Sequence, residues 1–368
     1  MYKIDNYINV IYNVIKSIYE RYNMRKLYII SVVFVLAMLC GCGAVINKPK
    51  NPSLEEKVGQ LFLVRCEHSA MESILAKNPA GIVMFGVDFK DLTQQEIKDK
   101  IANYQKISKT PLIVAVDEEG GTVVRVSSNK NIRSEKYKSP REYYLEGGMD
   151  LLAENAAEKS QLLVNLGINM NLAPVADVSV NEADFIYDRA LGENANKTAR
   201  YVSEVVKAMS ENDMASCLKH FPGYGNNVDT HTGIATDNRA YTDFENSDFL
   251  PFISGIEAGA DAVLVSHNIA GCMDTELPAS VSPKVHDILR NTLNFNGLIM
   301  TDDMSMGAMK DYGKPYVKAV LAGNDLVMVS EFDSAYNEVL NAVKNGEIPQ
   351  NIIDTAYERI MNWKKENL

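Results

Sequence analysis

Eight short apolar runs, each four or five residues long, recur between residues 61 and 329: Leu61–Val64, Gly81–Phe85, Leu112–Val116, Met170–Ala173, Ala215–Leu218, Ala262–Val265, Leu298–Thr301 and Leu326–Val329. Amphipathic stretches separate them, among them Thr93–Ser108, Asp150–Leu166, Ala195–Asn212, Asp248–Ala258, Pro283–Leu293 and Ser334–Asn345. Strands that are apolar throughout, alternating with helices, belong to a parallel sheet covered on both faces. Eight such strands are the number that closes a TIM-like (β/α)8 barrel. An open doubly wound sheet is the competing arrangement, but no GxGxxG follows any early run. The expected fold is therefore a single α/β barrel over residues 54–368, with no internal linker or short repeat.

The residues after the runs carry the chemistry. Leu112–Val116 leads into Asp117-Glu118-Glu119-Gly120-Gly121, and Met170–Ala173 leads into Pro174-Val175-Ala176-Asp177. Ala215–Leu218 is followed by Lys219-His220, Ala262–Val265 by Ser266-His267, and Leu298–Thr301 by Asp302-Asp303. One acidic residue after a strand is often only a helix cap. Five polar endings in one barrel converge on the C-terminal face, where barrel active sites sit.

The densest polar stretch runs from Cys217 to Gly233 and holds two of the five histidines of the chain. It reads as a buried strand ending at Leu218, followed by a Gly/Pro/Asn-rich loop. Asp229-Thr230-His231 lies in that loop. A carboxylate two residues before a histidine can orient the ring, whose other nitrogen then serves as a proton donor. Glycoside hydrolysis with retention needs such a donor and a nucleophilic carboxylate about 5 Å apart. Asp302 is the candidate nucleophile, because it ends an apolar strand, and Asp303 is its competitor. Side chains alternate along a strand, so only one of the two points into the barrel.

The N-terminus differs from the rest. Met24-Arg25-Lys26 precedes the apolar run Leu27–Leu39, and Leu39-Cys40-Gly41-Cys42 follows it. The run is short for a membrane span, which needs about 20 apolar residues. Basic, apolar and small-residue segments in that order form a signal peptide. Residues 24–41 are expected to be that signal, residues 1–23 an extension from a misassigned start, and residues 42–53 a tether. The competing reading is an uncleaved anchor. Leu39-Cys40-Gly41-Cys42 resembles a bacterial lipobox, which implies cleavage before Cys42, lipid on its sulfur, and a domain tethered outside the cell membrane. Removing residues 1–41 takes the net charge from −11 to −14. Phosphate binding needs clustered Lys and Arg, so no nucleic-acid partner is expected. Cys66, Cys217 and Cys272 have no metal or disulfide spacing and read as buried free thiols, with one disulfide possible.

Lys219-His220-Phe221-Pro222-Gly223-Tyr224-Gly225, followed by Asp229-Thr230-His231, closely resembles the K-H-F-P-G-H-G…D-x-H signature of glycoside hydrolase family 3 β-N-acetylhexosaminidases. Asp117-Glu118-Glu119-Gly120-Gly121 is similar to the D-x-E-G-G of that family. Leu277-Pro278-Ala279-Ser280 and Thr301-Asp302-Asp303-Met304-Ser305-Met306 resemble two further segments, and the match covers about residues 54–368. The resemblance implies a monomeric barrel with no metal and no cofactor that releases terminal β-linked N-acetylglucosamine from glycans such as muropeptides or chitin fragments. It implies Asp302 as nucleophile, His231 with Asp229 as the acid/base dyad, and Asp117, Arg125, Arg189, Lys219 and His220 as ligands of the sugar. Thr122 stands where hexosaminidases of this group often carry Arg, and Tyr224 where His is commoner; both bear on leaving-group preference. A β-glucosidase or phosphorylase of the same family, or a non-catalytic sugar-binding protein, is the alternative.

Two other chemistries compete for these residues. Lys219, His220, His267 and Asp302 could form a binuclear metal set, but the first run carries no H-x-H, and His68 lies too far beyond it. A Schiff-base aldolase would use Lys219, which lacks apolar neighbours after it to lower its pKa.

Overall fold

The computed structural model describes residues 51–67, 69–225, 235–309 and 312–368. The expected extension, signal peptide and Cys42 lie outside the described residues, as do His68, Asp229 and His231.

In the unit Pro52–Leu368 the eight apolar runs form eight parallel strands: β1 (Phe62–Arg65), β2 (Gly81–Met84), β3 (Ile113–Val116), β4 (Met170–Asn171), β5 (Ala215–Phe221), β6 (Ala262–Val265), β7 (Leu298–Thr301) and β8 (Val327–Val329). From β1 to β7 each strand pairs with its neighbour in sequence, and β8 returns to β1 with Phe62 opposite Val327. Between β7 and β8 the closure is narrower. Met300 bridges Leu326, and the Met328 N–H donates to the Thr301 hydroxyl at 3.0 Å instead of to a backbone carbonyl. The result is the TIM-like barrel, with helices outside.

Alternation divides each strand between two cores. Phe62, Val64, Ile82, Met84, Val114 and Val116 face the helices. Leu63, Val83, Ile113, Ala115, Met170, Ala215, Cys217, Leu264 and Met300 fill the barrel interior. The helix Gln350–Asn367 seals the bottom, placing Ile360 and Trp363 in that inner core; the Trp363 indole N–H donates to Asp261 Oδ1 at 3.0 Å.

Three details differ from the sequence reading. Strand β5 continues past Leu218 to Phe221, because Lys219 bridges Val175 of the preceding segment and Phe221 pairs with Val265. The helix expected from Asp150 begins at Pro140, capped by Ser139, and passes a kink at Gly148, where φ is 68°. The Gly147-Gly148 pair broke the periodicity that would have revealed its first turns. Cys66 and Cys217 are buried free thiols as expected, whereas Cys272 is exposed.

Candidate functional site

The same alternation that fills the barrel sets its C-terminal mouth. Continuing the inward series Ile113, Ala115 brings Asp117 to the lumen; Ala215, Cys217 leads to Lys219; and Leu298, Met300 leads to Asp302. These three residues line one cavity of about 460 Å³ together with Glu119, Arg125, Arg189, His220 and Tyr224. Its floor is apolar, made by Leu172, Leu264 and Met328. Asp303, one residue on, also reaches the cavity wall, but its carboxylate is occupied. It accepts from the Ser305 N–H at 2.9 Å and the Ser330 hydroxyl at 3.1 Å.

Glu119 is the hub of the buried network. Its carboxylate accepts from Arg189 Nε at 2.9 Å and Nη2 at 2.8 Å, and Lys219 Nζ lies 2.6 Å from the same group. Burial alone would raise its pKa, but Arg189 and Lys219 outweigh it and hold the carboxyl well below its ordinary range. Lys219 Nζ also donates to Asp117 Oδ1 at 2.6 Å. Burial opposes the charge on Lys219, yet Asp117 and Glu119 raise its pKa, the opposite of what a Schiff-base lysine requires. Arg125 Nη2 stands 3.9 Å from Asp117 Oδ2. That distance is too long for a hydrogen bond, so this oxygen keeps acceptor capacity toward the cavity.

His220 is committed on both sides. Its Nδ1 lies 2.7 Å from Asp177 Oδ2, so Nδ1–H donates to the carboxylate. Its Nε2 lies 3.1 Å from Arg189 Nη2 and accepts from the guanidinium, which has no lone pair to offer. Asp177 additionally accepts from the backbone N–H groups of His220 at 3.0 Å and Tyr224 at 2.7 Å. His267 is likewise bonded at both nitrogens, to the Ser280 hydroxyl at 2.7 Å and the Asp303 carbonyl at 3.0 Å. These commitments remove both rings from the metal set, and among the described residues no group of three or more His, Cys, Asp or Glu is placed to hold a metal ion.

Asp302 is the carboxylate left for chemistry. It accepts one local bond, from the Asp303 N–H at 2.8 Å. Burial tends to raise its pKa, but His267, the Asp303 N–H and Lys219 lower it below the ordinary carboxylate value. It therefore stands ionised at the end of a strand, as an attacking carboxylate must.

The structure thus brings Asp302, Asp117, Arg125, Arg189, Lys219 and His220 around one cavity. The positions of Asp229 and His231 fall outside the described residues. Sequence reasoning gave no role to Glu119, Asp177, Arg65 or Phe85. Glu119 and Asp177 stood in the strand endings, but their partners come from β5 and from the loop that carries Arg189. Arg65 ends β1, Phe85 follows β2 directly, and both line the same cavity.

Comparison with known proteins agrees with this geometry. Residues 53–363 match the family model described as glycosyl hydrolase family 3 N terminal domain. A beta-hexosaminidase of Hydrogenovibrio crunogenus is 31% identical over 308 residues, spanning 79% of this chain and 85% of that protein. A beta-hexosaminidase of Stenotrophomonas maltophilia is 34% identical over 272 residues, spanning 72% of this chain and 80% of that protein. Among solved structures, a glycoside hydrolase family 3 beta-N-acetylglucosaminidase from Paenibacillus superposes with TM-score 0.81 at 29% identity, covering 86% of this chain and 63% of that one. A beta-N-acetylhexosaminidase from Beutenbergia cavernae gives TM-score 0.77 at 26% identity, covering 86% and 99%.

Proposed function

The chain belongs to glycosyl hydrolase family 3, and on that premise we propose that it is a β-N-acetylhexosaminidase that removes terminal β-linked N-acetylglucosamine with retention, through a covalent intermediate on Asp302. The observation that carries the reading is the place of Asp302: an ionised carboxylate with one local bond, at the lumen end of a rigid strand, in a cavity lined by charged and polar groups. Asp117 Oδ2 and the spare donors of Lys219, Arg189 and Arg125 suit multidentate binding of hydroxyl and amide groups. Asp302 then attacks the anomeric carbon as the leaving oxygen takes a proton, and water later releases the sugar.

The proton donor in this reading is His231, oriented by Asp229. Support comes from the rest of the cavity. His220 and His267 are bonded at both nitrogens, Glu119 is locked between two cations, and Asp303 holds two hydroxyl and amide donors. The natural substrate we infer is a cell-wall muropeptide or chitin-like fragment, met by a domain lipid-anchored at Cys42 outside the cell membrane.

The test is release of 4-nitrophenol from its β-N-acetylglucosaminide. Asp302→Ala should lower kcat by roughly 10³-fold or more, and full activity in that variant would refute the assignment. In His231→Ala, substrates with poor leaving groups should lose far more rate than the aryl glycoside; equal losses would remove His231 as the acid.

A further inference from the structure

Glu118 is the one acid of Asp117-Glu118-Glu119 that stays out of the cavity. Alternation turns it away from the lumen, and it is fully buried, whereas Asp117 and Glu119 line the cavity. Its carboxylate is spent on one short segment. Oε2 accepts from the N–H groups of Arg125 at 2.7 Å and Val126 at 2.6 Å, and Oε1 accepts from the Ser127 N–H at 3.1 Å and from the Ser127 hydroxyl. Successive backbone donors turned onto one anion form a nest, and bonds to an ionised acceptor are about twice as strong as neutral ones.

The main chain of Glu118 is held as firmly. Its N–H donates to Asn171 Oδ1 at 2.9 Å, and its carbonyl accepts from Asn171 Nδ2 at 3.1 Å, which ties it to β4. Lys159, buried on the helix Pro140–Leu166, donates from Nζ to the Glu119 carbonyl at 2.7 Å. Burial lowers the Lys159 pKa to about 8, and Glu118 is the foremost group opposing that shift, so the lysine supplies counter-charge to the carboxylate. Arg125 depends on this frame. Among the described residues its guanidinium makes no hydrogen bond: Nη2 stands 3.9 Å from Asp117 Oδ2, and the buried Nε has no acceptor. The Phe85 ring, 5.6 Å away, attracts a cation without the directionality of a hydrogen bond. The place of the guanidinium in the cavity is therefore inherited from its backbone, where Glu118 acts.

We propose that Glu118 is a positioning residue for substrate binding: by gathering the N–H groups of residues 125–127 behind the cavity wall, it sets the direction in which Arg125 enters the sugar site. The inference rests on the glycosidase reading, in which Arg125 binds the sugar.

The experiment measures kcat and KM of the full chain on 4-nitrophenyl β-N-acetylglucosaminide for the wild type, Glu118→Ala, Glu118→Gln, Arg125→Ala and the double variant Glu118→Ala/Arg125→Ala. Arg125→Ala should raise KM about tenfold, the scale of one charge-assisted hydrogen bond. Glu118→Ala should raise it by a similar factor, with kcat within about threefold of wild type in both. A Glu118 that only stabilised the fold would reduce the fraction of active molecules, which lowers kcat and leaves KM alone. The double variant should exceed Arg125→Ala by no more than about twofold in KM, because nothing is left to position. Glu118→Gln keeps an oxygen for the Arg125 and Val126 N–H groups and should retain most of the affinity. If Glu118→Ala does not fold, Ser127→Ala takes its place, with a rise in KM of about threefold that vanishes in the Arg125→Ala background. KM effects that multiply in the double variant, or a loss of kcat at unchanged KM, overturn the proposal. A wild type that does not cleave the glycoside refutes the glycosidase reading alone. The positioning claim is then read from crystal structures of the wild type and of Glu118→Ala or Ser127→Ala, in which the Arg125 guanidinium should move by about 1 Å or more; an Arg125 that stays in place overturns it.

Discussion

Glu119→Gln is the perturbation whose cost the structure sets most directly. The wild-type carboxylate, 1% exposed, accepts two bonds from Arg189 and lies 2.6 Å from Lys219 Nζ. Glutamine keeps the shape but turns one acceptor oxygen into a donor amide, so at least one of these contacts becomes donor against donor. It also leaves Lys219 with Asp117 as its carboxylate and Arg189 with none at salt-bridge distance. Breaking a buried pair by removing one partner costs about 3–5 kcal/mol; the surviving carbonyl retains part of this, and we expect about 3 kcal/mol. Urea denaturation followed by the fluorescence of Trp363, the one tryptophan of the chain, reads the loss at the sealed base of the barrel. The double variant Glu119→Gln/Arg189→Met should lose less than the sum of its parts, with a coupling of about 1–3 kcal/mol. The pH dependence has a definite sign. The folded Glu119 pKa is depressed, so its stabilisation is fully present above the ordinary value of 4.5 and fades as pH falls below it. The difference between wild type and variant should therefore shrink in acid. A change under 0.5 kcal/mol, or strict additivity with Arg189→Met, would refute the hub role.

Lys364 at the barrel base is buried, bonds to Gln60 Oε1 at 2.8 Å, and has its pKa lowered by burial to about 7. Because the folded value lies below the ordinary 10.5, stability should rise with pH between about 7 and 10.5, by at most about 5 kcal/mol at 1.4 kcal/mol per pH unit. Lys364→Met should flatten that slope, and an unchanged slope in urea titrations would contradict the placement. Alkylation of the native protein followed by peptide mapping should label Cys272 and spare Cys66 and Cys217, since burial first of all pushes the Cys66 thiol up to about 12 and raises Cys217 as well; equal labelling of all three would show the barrel is open.

The barrel was legible because its strands are buried on both faces and read as unbroken apolar runs, even where β4 keeps only Met170 and Asn171 in regular pairing. Strand β5 read short because Lys219 and His220 look like loop residues until Glu119, Asp117 and Asp177 are seen to neutralise and bond them inside the barrel. Alternation in the sequence allowed only one of Asp302 and Asp303 to point inward; the inner-core positions of Leu298 and Met300 select Asp302, and the bonds to Ser305 and Ser330 show why Asp303 is occupied. Glu119 and Asp177 had no visible role because each acts on side chains from a distant loop or strand, some 40 to 100 positions away. Arg65 was silent for a simpler reason: a single arginine after an apolar run reads as an exposed strand end, which it is, and only the ring of Phe85 and the shared cavity give it a direction.

The central claim is that Asp302 becomes covalently bound to the sugar. Incubation with a slow fluorinated N-acetylglucosaminide, followed by proteolysis and mass spectrometry, measures this directly. The account predicts one glycosyl adduct, on the peptide containing Asp302 and on that residue, absent in Asp302→Ala. An adduct on Asp303, on Glu119 or on any other carboxylate, or turnover with retention and no trapped adduct, would contradict it.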